Sequence, residues 1–141
     1  MATDLATFLS KRNVCAPSVA WARNYTGPVN EAVVAAGSIE WAFLLLMLAV
    51  TTEALTPEAA AAAATTALAE VRVPSMRLRC ARVRASLAAV SEAGNATAKR
   101  SRALTAIRDC GNACQETATP ESTRRVCEIV QAAIPMDTLL A

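Results

Sequence analysis

Hydrophobic residues recur along the chain at helical spacing, and residues typical of helix starts and ends separate these apolar segments. Leu5, Phe8 and Leu9 have the i, i+3, i+4 spacing of an apolar helix face. The alternation that half-buried strands require is never sustained. The pattern therefore predicts an all-α protein, a compact single-domain helical bundle of about seven to eight helices over residues 1–141.

Three longer apolar stripes supply much of the predicted core. In each, the apolar residues recur mainly at intervals of three or four positions, as on a helix that faces one partner. A break at Gly94-Asn95 separates the first two stripes, which predicts an antiparallel helical hairpin. The stripes are Met76, Cys80, Val83, Leu87 and Val90; Ala103, Ile107, Cys110 and Cys114; and Val126, Cys127, Val130 and Ile134.

Helix-start residues precede most of the apolar segments. Thr3 is a candidate N-cap of the first helix, Pro17 fits the first position of a second that carries Trp21, and Ser38 fits the cap of the fourth. Thr56-Pro57-Glu58 combines a hydroxyl cap, a first-position proline and a carboxylate facing the helix dipole. The same three letters recur at Thr119-Pro120-Glu121. The predicted third helix runs from Gly27-Pro28 to Gly37, and Pro74 and Pro135 are expected to end the polyalanine helix and the last helix.

The most apolar segment is too short to cross a bilayer. Its uninterrupted run, Ala42 to Val50, covers nine residues, whereas a spanning helix needs ~20. Extension toward the N-terminus includes Glu40, whose carboxylate is costly inside a membrane. We therefore expect a helix buried in a protein core. Since Asp4, Lys11 and Arg12 interrupt any signal-peptide pattern, we also expect a cytoplasmic protein.

The alanine tract "AAAAAATTALA" allows two interpretations. Alanine favours helix and permits close approach of neighbouring backbones, which predicts a central place in the bundle. The alternative is a fraying surface helix, because short isolated helices are marginally stable in water.

Charge is distributed unevenly although the net charge is only +2. Residues 71–108 contain nine basic residues against Glu92 alone. Three interpretations remain open: a solvated arginine fringe, a surface for an acidic protein partner, and a nucleic-acid surface. We call the candidate residues the basic surface: Arg77, Arg79, Arg82, Arg84, Lys99, Arg100 and Arg102.

The segment "AGNATAKRSRAL" (Ala93 to Leu104) resembles the turn and recognition-helix start of repressor helix-turn-helix motifs. However, Glu92, Asn95 and Arg100 occupy positions that such motifs fill with apolar side chains. No aromatic residue follows Phe43, so base stacking on this segment is unsupported.

Several chemistries lack their usual residues. The chain has no histidine, which removes the commonest general base and metal ligand. No glycine-rich phosphate loop is present among its four glycines. We therefore expect no enzymatic activity and no cofactor. Homo-oligomerisation, as in a structural or assembly protein, remains an alternative.

Cys80, Cys110, Cys114 and Cys127 raise the question of a zinc site, because four thiolates can complete a tetrahedron. No C-x-x-C motif is present, and each of these cysteines falls on an apolar stripe. We therefore expect buried thiols that pack as small apolar side chains.

The segments "FLSKRNVCAPSVAWARNY", "EWAFLLLMLAV" and "CEIVQAAIP" resemble parts of alanine-rich helical proteins of bacteriophages and bacteria that are often labelled immunity proteins. The matching residues are mostly packing residues: Phe8, Leu9, Cys15, Ala16, Trp21, Trp41, Leu44 and Leu45. The resemblance implies an all-α fold and a phage or bacterial cytosolic setting. It leaves the biochemical activity open.

Overall fold

The computed structural model describes residues 4–71, 85, 88–90 and 92–141. Within these ranges the chain forms eight α-helices and one 3₁₀-helix, and no strand, so the predicted all-α fold is confirmed. The helices are α1 (Leu5–Lys11), α2 (Ala16–Asn24), a 3₁₀-helix (Val29–Glu31), α3 (Ala32–Ala36), α4 (Ile39–Thr51), α5 (Pro57–Ala69), α6 (Ala96–Thr117), α7 (Pro120–Ala133) and α8 (Met136–Leu139).

Three of the predicted helix starts are confirmed by their hydrogen bonds. Ser38, Thr56 and Thr119 each accept, through the side-chain oxygen, the backbone N–H three residues further on. Each bond satisfies one of the N–H groups that a helix leaves unpaired at its first turn. Gly37 ends α3 with φ of 61°, a backbone conformation that glycine adopts without strain.

Two helix boundaries differ from prediction. Asp4 caps α1 by accepting from the backbone N–H of Thr7 at 3.0 Å, whereas Thr3 lies outside the described residues. Pro17 occupies the second position of α2, because the helix begins at Ala16. Proline is tolerated there as well, since the N–H groups of the first turn have no partner within the helix.

Two further prolines were predicted to end helices, and one of the two helices ends well before its proline. Helix α5 ends at Ala69, before Pro74, which lies outside the described residues. Helix α7 ends at Ala133, just before Pro135 as predicted, but it is not the last helix, because the short helix α8 follows. A proline fixes its own φ in the helical range, so it can precede a new helix as readily as it ends an old one.

The apolar helix α4 is buried, as predicted. Its run contains six buried residues, and the other three are partly buried: Leu44, Met47 and Leu48. In the part of the chain that the structure describes, no helix combines the length and apolar character that a membrane span requires. The leucine side chains instead join one hydrophobic cluster that extends from Leu5 to Leu140.

The alanine-rich helix α5 lies centrally, packed against α4, α6 and α7. Ala60, Ala64 and Ala67 are inaccessible to solvent. The interpretation as a fraying surface helix is therefore wrong. An alanine face lets the neighbouring helices approach closely, so little side-chain volume is needed to fill the interface.

Helices α6 and α7 bury the stripes that their sequences predict. All four residues of the α6 stripe have no exposed surface, and neither do Val126, Cys127 and Val130 of α7. Gly111 allows α6 to approach α4, because a Cβ atom there would lie 3.1 Å from Cγ of Phe43. From the stripe that precedes Gly94, Val90 is buried; the other four residues, and most of that arm of the predicted hairpin, lie outside the described residues.

Candidate functional site

The structure describes part of the basic surface. Arg77, Arg79, Arg82 and Arg84 lie outside the described residues, so their predicted role is untested. Lys99, Arg100 and Arg102 lie in the first two turns of α6. Asn95 caps this helix, accepting the backbone N–H of Ala98 at 2.8 Å. The predicted break at Gly94-Asn95 is therefore present, and it determines where the basic turn of α6 begins.

Two of these basic side chains form ion pairs within the bundle. Lys99 Nζ lies 3.0 Å from Glu58 Oε1, at the start of α5. Arg100 pairs with Glu53, which lies between α4 and α5. Both pairs are partly exposed, and such pairs contribute on the order of 1 kcal/mol or less to stability. Their main consequence is geometric, because they direct two cations toward α5.

The pairing also affects the acidic partner of Lys99. The backbone N–H of Glu58 itself, followed by the Lys99 ammonium, lowers the pKa of the Glu58 carboxyl below its ordinary value. Both groups favour the charged form of the carboxylate. The Glu58 carboxylate therefore keeps its charge to a lower pH than an ordinary glutamate does.

Arg102 makes a different contact, with a backbone carbonyl. Its Nη1 donates to the carbonyl oxygen of Ala89 at 2.9 Å. Ala89 precedes Gly94 in the sequence, so this bond joins the two sides of the turn. The arrangement holds the second turn of α6 to the backbone at Ala89.

The helix-turn-helix resemblance can be compared with this geometry. Arg100 occupies a position that repressor motifs fill with an apolar residue, and here it is held at the bundle surface by Glu53. Glu92, at another such position, is exposed. Lys99 and Arg100, in the first two turns of α6, therefore already have acidic partners within the protein.

The cysteines divide into two chemical classes. Cys110, Cys114 and Cys127 have no exposed surface, as expected for thiols that pack in the core. Burial raises the pKa of Cys114 to about 12 and also raises the pKa of Cys127. Among the described residues, no group of three or more His, Cys, Asp or Glu side chains is arranged to hold a metal ion; Cys80 lies outside them. Cys15, by contrast, is exposed.

The acidic partners of α6 could not be predicted from the sequence. Glu53 and Glu58 are 47 and 41 positions away from Arg100 and Lys99 respectively, so no local pattern connects them. The sequence predicts only one role for Glu58, that of a first-turn acid of α5. Glu58 has that role in the structure and also forms the ion pair with Lys99.

The chain is an all-α bundle in which α6 begins with three basic side chains bound to its own protein. The resemblance to phage and bacterial immunity proteins remains a prediction. No family model, curated protein or solved structure matches the chain.

Proposed function

We propose that this protein is not an enzyme and acts by binding another macromolecule, namely a protein with an acidic surface. The contact is made by the basic surface. An inhibitor or immunity-type protein, or an anti-defence protein, of a phage or bacterial cytoplasm is the concrete form of this proposal.

The observation that carries the proposal is the segregation of charge. Nine basic residues stand against one acidic residue in 71–108, in a protein whose net charge is only +2. Like charges at this density repel one another, and an acidic partner relieves the repulsion. Complementary charge also accelerates association and disfavours wrong partners.

The described contacts divide the basic surface into two parts. Lys99 and Arg100 are paired with Glu58 and Glu53, so we assign them the role of holding α6 against α5. Arg102 bonds to Ala89 and keeps the two sides of the turn together. The contact with the partner is then assigned chiefly to the four arginines from Arg77 to Arg84.

Affinity capture with the tagged protein from bacterial lysate tests the proposal. Replacing Arg77, Arg79, Arg82 and Arg84 by glutamate should abolish capture of a discrete acidic protein while the far-UV circular dichroism stays helical. The matched control replaces Arg124 and Arg125 of α7, which lie outside 71–108, and should leave capture intact. Capture that survives the first set of changes, or a retained protein that is basic, would refute the proposal.

A DNA-binding regulator is the second candidate, favoured by the Asn95 cap that starts a basic helix directly after a glycine-containing turn. Phosphate contacts make affinity fall steeply as salt rises. A salt titration of duplex binding therefore separates the two candidates. Absence of duplex binding at low salt eliminates the regulator.

A structural or assembly role predicts ordered homo-oligomers, which multi-angle light scattering measures directly. A mass that stays monomeric over a hundredfold range of concentration would exclude this third candidate. If an oligomer forms and its formation requires the basic surface, then the partner of that surface is a second copy of the chain and not an acidic protein.

A further inference from the structure

A groove of about 190 Å³ lies between α4 and α6, and none of the residues of the basic surface lines it. Phe43, Leu44 and Met47 of α4 form its apolar side. Phe43 is buried, whereas Leu44 and Met47 are only partly buried, so part of each of these two side chains reaches the surface. The groove therefore leaves apolar surface in contact with solvent.

Two charged residues also line the groove, Glu40 of α4 and Arg108 of α6. Both are exposed, and neither forms an ion pair with another described residue. By contrast, Lys99 and Arg100, nearer the start of α6, both have acidic partners. Arg108 is thus a cation of α6 that is available to a second molecule, and Glu40 is an available anion.

The two helices that form the groove run antiparallel. Gly111 of α6 faces the ring of Phe43 in α4. Arg100, nearer the start of α6, pairs with Glu53, which lies just beyond the end of α4. Moving from the first contact to the second therefore follows α4 forward along the chain and α6 backward.

This direction places the two charges at opposite ends of the groove. Glu40 precedes Phe43 by three residues, and Arg108 precedes Gly111 by three. Because the helices are antiparallel, the two charged residues lie on opposite sides of the contact between Phe43 and Gly111. Three residues span about 4.5 Å of helix, which offsets the two charges by about 9 Å along the groove.

We propose that this groove is the interface of a homodimer, in which a second copy of the chain packs against it across a two-fold axis. In a two-fold interface the same surface meets itself, so Glu40 of each copy lies opposite Arg108 of the other. One acid and one base per chain then form two ion pairs. A groove with opposite charges at its two ends is complementary to a second copy of itself, whereas a uniformly acidic or basic partner meets one like charge there.

The apolar surface of this interface extends beyond the groove. Stable dimers bury roughly 800 Å² on each partner, so neighbouring side chains take part. A cleft of about 320 Å³ between α2 and α4 shares Glu40 and Leu44 with the groove and adds Trp21, which is partly buried. Tryptophan, methionine and arginine are enriched in protein interfaces. Trp21, Leu44 and Met47 thus supply apolar contact, and the two ion pairs set the orientation of the copies. Since the basic surface takes no part, the dimer is independent of the proposed function.

Multi-angle light scattering of the purified full chain tests the proposal in the absence of any other protein. The chain should be dimeric at high concentration and dissociate on dilution. Glu40→Arg and Arg108→Glu, each alone, place like charges opposite each other twice per dimer and should weaken the dimer about tenfold or more. The matched control Lys11→Glu reverses a charge at an exposed position of α1 outside the groove and should leave the mass unchanged. A wild-type mass that stays monomeric over a hundredfold range of concentration would overturn the proposal.

Recombining the two charges separates a self-complementary interface from a general loss of folding. The double variant, Glu40→Arg with Arg108→Glu, restores opposite charges across the interface and should dimerise again. An equimolar mixture of the two single variants should form a mixed dimer, which native mass spectrometry identifies by its mass. Far-UV circular dichroism should stay helical in every variant. Dimers that survive both single reversals, or a double variant as monomeric as the single ones, would show that Glu40 and Arg108 do not meet across the interface and would overturn the site.

Discussion

Helices α4 and α5 have the same length, 13 residues, and the same kind of hydroxyl cap, yet they build the core in different ways. Helix α4 contributes large side chains, including Leu45 and Leu46, which have no exposed surface. Helix α5 contributes alanines. One helix fills volume, and the other brings neighbouring backbones close together.

The difference shows that burial and side-chain size are separate requirements of a core. Close packing demands that the space between helices be filled, by large side chains at a wide separation or by small ones at a narrow separation. Helix α6 packs against both helices. It meets α4 through Gly111, where only a hydrogen atom fits beside Phe43 without displacement.

The largest expected effect is the loss of volume from α4. Leu45→Ala should lower the free energy of unfolding by about 2–5 kcal/mol, because a fully buried leucine leaves a cavity. Urea denaturation followed by circular dichroism measures the change. Leu44→Ala, at a partly buried position of the same helix, should cost clearly less. Equal losses at the two positions would contradict the assigned orientation of α4.

The converse change tests α5. Ala64→Leu should lower the free energy of unfolding by about 1–3 kcal/mol, because a close helix contact has no room for three more carbons. The matched control is Ala62→Leu, at an exposed position of α5, which should change stability by ~0.5 kcal/mol or less. If Ala64→Leu were as neutral as the control, α5 would not be the close-packed helix described here.

The free energy of unfolding should fall at alkaline pH, because Cys114 is buried in the core face of α6. The folded-state pKa of Cys114, about 12, lies above its ordinary value near 9. Its contribution to stability is therefore complete below pH 9 and is lost as the pH rises toward 12. At pH 10 the loss should be about 1.4 kcal/mol. Urea unfolding at a series of pH values measures it, and Cys114→Ala should flatten the decline; an unchanged slope would show that Cys114 does not titrate in this way.

The smallest expected effect concerns the ion pair between α5 and α6. A double-mutant cycle with Glu58→Gln and Lys99→Met should give a coupling free energy of ~1 kcal/mol or less, because both side chains are partly exposed. High salt should reduce it further. A coupling well above this value, insensitive to salt, would mean that charge holds the two helices together as strongly as packing does.

Much of the fold could be predicted because its signals are local. Ser38, Thr56 and Thr119 cap helices by bonding to a residue three positions away, so their chemistry is visible in the letters themselves. The failures arose where two residues compete for one role. Asp4 caps α1 in the position next to the expected Thr3. The end of α7 before Pro135 was predicted, whereas the short helix α8 after it was not.

The candidate site was less predictable. Arg100 and Lys99 were identified as basic residues, but nothing near them in the chain shows that Glu53 and Glu58 would pair with them. Cys15 was noted only as part of a family resemblance. Cys15 differs from the three buried cysteines in its exposure. That exposure depends on what surrounds each thiol after folding, and the spacing of the cysteines in the sequence does not predict it.

By itself, the sequence determined that the protein is all-helical, where most of its helices begin, and which faces of α6 and α7 turn inward. These properties follow from helix propensity, caps and periodicity, which act within a few residues of one another. Only the tertiary structure decided that polyalanine lies at the centre, that two cations of α6 are held by distant carboxylates, and that Cys15 is exposed while the three other described cysteines are buried. Such properties depend on contacts between residues far apart in the chain, which form only when the helices pack together.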